Sequence, residues 1–185
     1  MSATNTPSET SPSNHDRPQR ATTKTSRDDW MFLGARLRLL SGPDSPLLIA
    51  EAVLPAGASP PLHIHDHLDD SFFLIEGTMV VQCGDEVSLG TAGTWVPFPR
   101  AVPHTFRVID RPARVLLTHT NDSFMSAVRA LGHPARHDEE PTTVDGPDNE
   151  ELTRILALHD IRNIGPSMEA DEAERWLQNL GGRDE

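Results

Sequence analysis

The sequence predicts an all-β barrel carrying a C-terminal extension of two to three helices, and three observations support that prediction. Between Trp30 and His119, short runs of strand formers recur, broken at regular intervals by Gly and Pro. This is the pattern of an antiparallel barrel or sandwich rather than of alternating βαβ units. After Asn121 the apolar spacing changes to a helical period. The third observation is one stretch, Gly57 to Gly77 (GASPPLHIHDHLDDSFFLIEG). It sets three histidines and three acidic residues, Asp66, Asp69 and Asp70, against a run of strand formers.

Composition narrows the function classes. A chain of 185 residues is long enough for one domain with a real core, plus tails. The net charge of −12, with no basic stripe, argues against a nucleic-acid backbone or an anionic membrane surface as partner. Cys83 is the sole cysteine, so neither an intrachain disulfide nor a Cys-rich zinc site can form. The first thirty residues have no apolar core of the kind a secretory signal needs, and no apolar run approaches the roughly 20 residues of a membrane span. The expectation is a soluble, cytoplasmic protein in a reducing compartment.

Taken in order, residues 1–27 are rich in Ser, Thr, Asn and Pro and predict a disordered tail. A targeting peptide is the alternative, but Glu9 and Asp16 interrupt its basic pattern. Residues 28–120 form the barrel. Phe32–Leu40 and Leu47–Leu54 read as strands around the turn-prone Ser-Gly-Pro-Asp-Ser-Pro. Phe72–Ile75 and Met79–Cys83 flank Glu76-Gly77-Thr78 as a hairpin would, and Glu86–Leu89 follows the turn at Gly84-Asp85. Thr94–Pro97, His104–Ile109 and Arg114–His119 complete the series.

Residues 121–185 form the helical extension. Phe124, Val128 and Leu131 share one helix face, with Asn121, Asp122 or Ser123 as cap and Gly132 as stop. His133–Pro147 reads as a polar connector. Leu152, Ile155, Leu156 and His159 then fit a second helix behind Asp148, ending in Asn163-Ile164-Gly165-Pro166. Ser167 opens a last helix carrying Ala173, Trp176, Leu177 and Leu180, stopped at Gly181-Gly182.

The chemistry concentrates in two stretches. On a regular strand His63, His65 and His67 point the same way, and two neutral imidazoles at i, i+2 can grip one metal ion. A third ligand must come from elsewhere. His104 supplies it: Pro97, Pro99 and Pro103 bend the chain before it, and the strand it opens faces His63 and His65 across the lumen.

These residues resemble the two motifs of the cupins. Gly57, His63, His65, Asp70 and Gly77 follow the spacing of the first motif, and Gly93, Pro99 and His104 follow the second, fifteen residues further on. The chain departs from the pattern at Asp70, which stands for a glutamate, at Ala101 for a glycine and at Val108 for an asparagine. The resemblance implies a jelly-roll barrel and one divalent ion per chain (Fe, Mn, Co, Ni or Zn), held by His63, His65, His104 and Asp70. Asp70 is the candidate catalytic base as well as a candidate ligand. His67 is expected outward and solvated, and Asp69 outward.

Phe72, Phe73, Trp95, Phe98 and Phe106 are expected in the core. Phe72, Phe106 and His119 are candidates to line a substrate pocket, with a half-buried core histidine as the alternative for His119. The helical extension is similar to that of bacterial single-domain cupins of the quercetin 2,3-dioxygenase type, which split a flavonol ring with dioxygen. That similarity implies a small-molecule substrate, dioxygen as co-substrate and a homodimer. A metal-dependent isomerase, cyclase or lyase that consumes no oxygen is the runner-up, and a non-catalytic binding cupin is the third reading.

Overall fold

Alternation of buried and exposed side chains, regular in β3 and β10, builds two facing sheets. The structure, a computed structural model, describes residues 28–42, 44–143 and 150–181. The strands are β1 (Asp29–Phe32), β2 (Ala35–Leu39), β3 (Leu48–Leu54), β4 (Pro61–Ile64), β5 (Asp70–Glu76), β6 (Thr78–Cys83), β7 (Glu86–Thr91), β8 (Trp95–Phe98), β9 (His104–Val108), β10 (Ala113–His119), the two-residue β11 (His133–Pro134) and β12 (Arg162–Ser167). The helices are α1 (Ser123–Leu131), α2 (Glu150–Ala157) and α3 (Ala170–Gly181). One sheet runs β11-β1-β2-β3-β10-β5-β8 and the other β12-β4-β9-β6-β7. The expected tail at residues 1–27, the Asp148 cap and Gly182 lie outside the described residues.

In β3, Leu48, Ala50, Ala52 and Leu54 face inward, and in β10 Ala113, Val115, Leu117 and His119 do the same. Together with Leu74, Met79, Val81, Phe98, Phe106 and Val108 they fill the space between the sheets. The outward positions carry the polar pairing, such as the Arg114–Glu51 ion pair at 2.8 Å. Phe73 and Trp95 depart from the expected core. They are cross-strand partners on the outer face, 37% and 53% exposed. Their neighbours Phe72, Val96 and Phe98 take the inward positions, and side chains one residue apart on a strand cannot share a face.

The expected hairpin across Glu76-Gly77-Thr78 does not form. Strand β5 pairs with β10 and β8, whereas β6 pairs with β7 and β9, so this bend carries the chain from one sheet to the other. Gly77 makes the crossing possible. Its φ is +91°, and a Cβ there would sit 2.7 Å from the Ala113 Cα. A similar constraint ends α1: a Cβ on Gly132 would lie 2.4 Å from the Met31 carbonyl oxygen, so only glycine lets the helix end close on β1. At the other end of α1, Asp122 makes no side-chain cap, and the Asn121 carboxamide oxygen instead accepts from the Ser123 N–H at 2.9 Å.

The extension holds the other corrections. Helix α2 stops at Ala157, so His159 lies in the turn beyond it. Residues 163–166 do not end a helix, and Ser167 does not open one. Both belong to β12, which pairs with β4 through Arg162↔Ile64, Asn163↔His63 and Ser167↔Pro61. The open edge of β4 offers a ladder of unpaired backbone groups, and the Ile164-Gly165-Pro166 run is a poor helix and a good edge strand. Helix α3 then covers the outer face of the smaller sheet, burying Met168 and Ala173 on Val80. Among the described residues no helix is long and apolar enough to cross a membrane.

Gly77→Ala tests the crossing. Strain at positive φ costs about 1–2 kcal/mol for a residue with a Cβ. Gly93→Ala meets that cost alone, because its φ is +89° but nothing lies within 4 Å of the added Cβ. Gly77→Ala is expected to lose clearly more stability than Gly93→Ala in urea unfolding. Equal losses would show that the contact with Ala113 is unimportant.

Candidate metal centre

Pairing register within one sheet, not the expected approach across the lumen, brings the first two histidines together, because β4 and β9 are adjacent strands. His63 on β4 is the direct antiparallel partner of His104 at the start of β9, and their ring centroids lie 4.2 Å apart. His65 follows immediately after β4, with its ring 5.1 Å from both. One ligating atom of each imidazole lies within 4.8 Å of the other two, and all three residues are buried. Among the described residues this is the group of side chains able to hold a metal ion.

The hydrogen bonds decide which nitrogen faces the centre. Each Nδ1 meets a backbone carbonyl: His63 that of Pro61 at 2.8 Å, His65 that of Asp160 at 2.8 Å, His104 that of Val102 at 2.9 Å. A carbonyl only accepts, so each Nδ1 carries the proton and each neutral ring keeps its lone pair on Nε2. Burial favours that neutral state. It holds His63 well below the ordinary imidazole range, with the His104 and His65 rings adding to the effect. It also lowers His65 and takes His104 down to about 4. The His104 Nε2 is buried without a hydrogen-bond partner. An orphaned buried acceptor among three neutral, all-nitrogen donors fits a divalent transition ion. The ring of Phe98, stacked on His104 at 4.7 Å, supports it from the core side.

Asp70 is not part of this cluster. As the first residue of β5 it belongs to the larger sheet, where its cross-strand partner is His119 at the end of β10. The His119 Nε2 lies 3.2 Å from Asp70 Oδ1, but the contact is not aligned as a hydrogen bond. Asp70 Oδ1 and His119 Nδ1 are left buried and unpartnered. Burial pushes the Asp70 carboxyl up to about 8, opposed by the Ser71 N–H, and holds His119 well below its ordinary value. Both groups are therefore neutral at pH 7. His119 bridges this pair to the cluster, its ring 5.9 Å from that of His65 and 4.5 Å from that of Phe124. It is fully buried rather than half-buried, at 2% exposure.

Phe72 and Phe106 pack against each other at 5.5 Å, and Phe72 meets Phe98 at 5.2 Å, forming the floor below the histidines. His67 and Asp69 point outward. His67 pairs with Asp160 at 2.9 Å, and Asp69 accepts from the Arg100 backbone and guanidinium. Sequence reasoning missed Asp160 and Phe98 as neighbours of the site. Phe98 carried a faint signal, since it lies within the second stretch, six residues before His104. Asp160, ninety-five positions from His65, carried none.

Residues 50–119, from within β3 to the end of β10, match the cupin domain family. Among solved structures, the chain is similar to the cupin domain of Schizosaccharomyces pombe Cnp3, at 20% identity over 54% of this chain and 73% of that one, with a TM-score of 0.44. KdgF from a Halomonas species gives 18% identity, 60% and 89% coverage and a TM-score of 0.45. An RmlC-like cupin from Shewanella frigidimarina gives 17%, 65% and 96% and a TM-score of 0.46. None of these likenesses bears on activity. No curated protein matches the chain. The match to the cupin domain family is thus confined to residues 50–119, with strands β1 and β2 before it and the three helices after it.

Proposed function

We propose that this protein is a metal-dependent enzyme acting on a small oxygenated compound, with His63, His65 and His104 holding the ion and Asp70 moving the proton. One observation carries the reading: three neutral imidazoles converge on one point, and a buried carboxyl group lies one contact away through His119. Bound there, a divalent ion would supply Lewis acidity, stabilising the anion of an enol or hydroxyl.

The chain's own residues do the rest. A carboxyl with a value near neutrality can both take and return a proton. The neutral His119 beside Asp70 Oδ1 keeps an uncompensated charge away from that atom. Phe72, Phe98 and Phe106 exclude water from the inner side and offer an apolar surface to a flat ring. The aspartate is one methylene shorter than a glutamate, and its approach to His119 supports a role as acid and base rather than as ligand.

The finer reading is a dioxygenase that opens an enol or flavonol-like ring with dioxygen. The runner-up, an isomerase, cyclase or lyase, uses the same proton carrier without dioxygen. A non-catalytic binding cupin would have no need of a buried titrating carboxyl. Oxygen uptake with flavonols and smaller enols separates the first two. Uptake on the metal-loaded protein supports the dioxygenase, and product formation without uptake supports the isomerase. Failure of every enol to react would overturn the enzyme reading.

Two outcomes are expected from variants and pH. The native chain should bind about one divalent ion, as a tri-histidine site does, and His63→Ala and His104→Ala should each abolish it in elemental analysis. The imidazoles stand below the ordinary histidine range, so affinity should stay level from pH 8 to 6 and fall only as pH approaches the His104 value of about 4. Calorimetry at pH 7 in buffers of different ionisation enthalpy should find almost no proton released on Co2+ binding. Release of close to one proton would mean that Asp70, protonated there, ionises to become a ligand. Asp70→Asn should retain the metal and lose roughly 100-fold or more in turnover, the range of general acid–base catalysis. Parallel loss of both would make it a ligand.

A further inference from the structure

The three imidazoles are not held in the same way. His63 and His104 donate to the carbonyls of Pro61 and Val102, each two residues back on its own chain segment. Their tautomers are set locally. His65 has no such local partner. Its Nδ1–H reaches the carbonyl of Asp160, in the turn between α2 and β12.

Asp160 is built for this contact in three respects. Its backbone lies in the left-handed region, at φ +66°, which aims the carbonyl back toward the barrel. That region costs about 1–2 kcal/mol for most residues and least for Gly, Asn and Asp. Its carboxylate, 10% exposed, accepts from the Asp66 N–H at 3.1 Å and the His67 N–H at 3.0 Å, and meets His67 Nδ1 at 2.9 Å. The segment is anchored on both sides. Ile161 is buried in the core and donates its N–H to the Leu156 carbonyl at 3.0 Å, while Arg162 grips the Asp66 carboxylate through two bonds of 2.8 and 3.2 Å.

We infer that Asp160 is a positioning residue of the metal centre: the C-terminal segment holds His65 in its ligating tautomer, through the Asp160 carbonyl, and clamps the loop that carries it, through the Asp160 carboxylate. The inference rests on the metal reading above. It makes the 158–162 turn a structural part of the site. Metal binding and docking of this segment then favour one another, because each orders the same histidine.

The test uses the full chain, metal-free and titrated with Co2+, for Asp160→Asn, Asp160→Gly and Asp160→Ala. Asn keeps the left-handed preference and one acceptor, Gly keeps only the backbone conformation, and Ala keeps neither. Affinity for Co2+ should fall in that order, reaching 10- to 100-fold for Asp160→Ala, the usual cost of losing an outer partner of a metal-bound histidine. The visible Co2+ spectrum should change with it. In the metal-free protein, long-range 1H–15N spectra should show His65 leaving the Nδ1–H tautomer in Asp160→Ala, with His63 and His104 keeping theirs. A merely structural role would not single out one imidazole. If Asp160→Ala does not fold, Asp160→Gly tests the carboxylate clamp alone: Co2+ affinity should fall below that of Asp160→Asn while the His65 tautomer is kept, and affinity equal to the native chain would overturn the inference.

Affinity within twofold of the native chain and an unchanged His65 tautomer would overturn the inference and leave the metal reading standing. Loss of all three tautomers together would also overturn it, as a general unfolding effect. A native chain that takes up no Co2+ would overturn both.

Discussion

Three imidazoles can occupy one small buried space only if none of them is protonated, and most of the architecture around the centre serves that condition. Cations at His63, His65 and His104 would repel one another at ring separations of 4.2 to 5.1 Å in a medium that solvates charge poorly. Burial removes the water that would stabilise a proton. Each backbone carbonyl then draws the remaining N–H to Nδ1, so the lone pairs converge. The fold arranges this from both sheet register and loop: β4 and β9 align His63 with His104, and the connection to β5 delivers His65.

Asp70 answers to the opposite condition. It too is buried, but for a carboxyl group burial favours the protonated form, and the neighbouring neutral His119 does nothing to reverse that. The two facing sheets thus present one end with acceptors without protons on the smaller sheet and a proton holder on the larger. The His119 ring lies between the two, against Asp70 on one side and 5.9 Å from the His65 ring on the other. The Gly77 crossing is what puts β5 and β6 on opposite sides of that gap.

The extension is more than a covering. Strand β12 closes the edge of β4 and α3 shields the outer face of the same sheet, while Asp160 and Arg162 hold the loop carrying His65. The extension and the loop that carries His65 therefore share the same hydrogen bonds.

By itself the sequence determined the barrel and which histidines stand together. Short strand runs recurring between Gly and Pro mark the barrel, and the spacing from Gly57 to Gly77 and from Gly93 to His104 marks the candidate site, because both are local properties of the chain. What the local pattern could not carry is the partner of each strand. Gly77 looked like a hairpin turn because a tight bend and a sheet-to-sheet crossing need the same residue. Phe73 and Trp95 looked like core because size does not say which face a strand turns outward. Residues 163–166 looked like a helix end, and Ser167 like a helix start, because their strand exists only where the open edge of β4 supplies hydrogen bonds. Asp160 was invisible for the same reason: a contact across ninety-five residues, and the Nδ1–H tautomer of His65 that it sets, arises only when the chain has closed on itself.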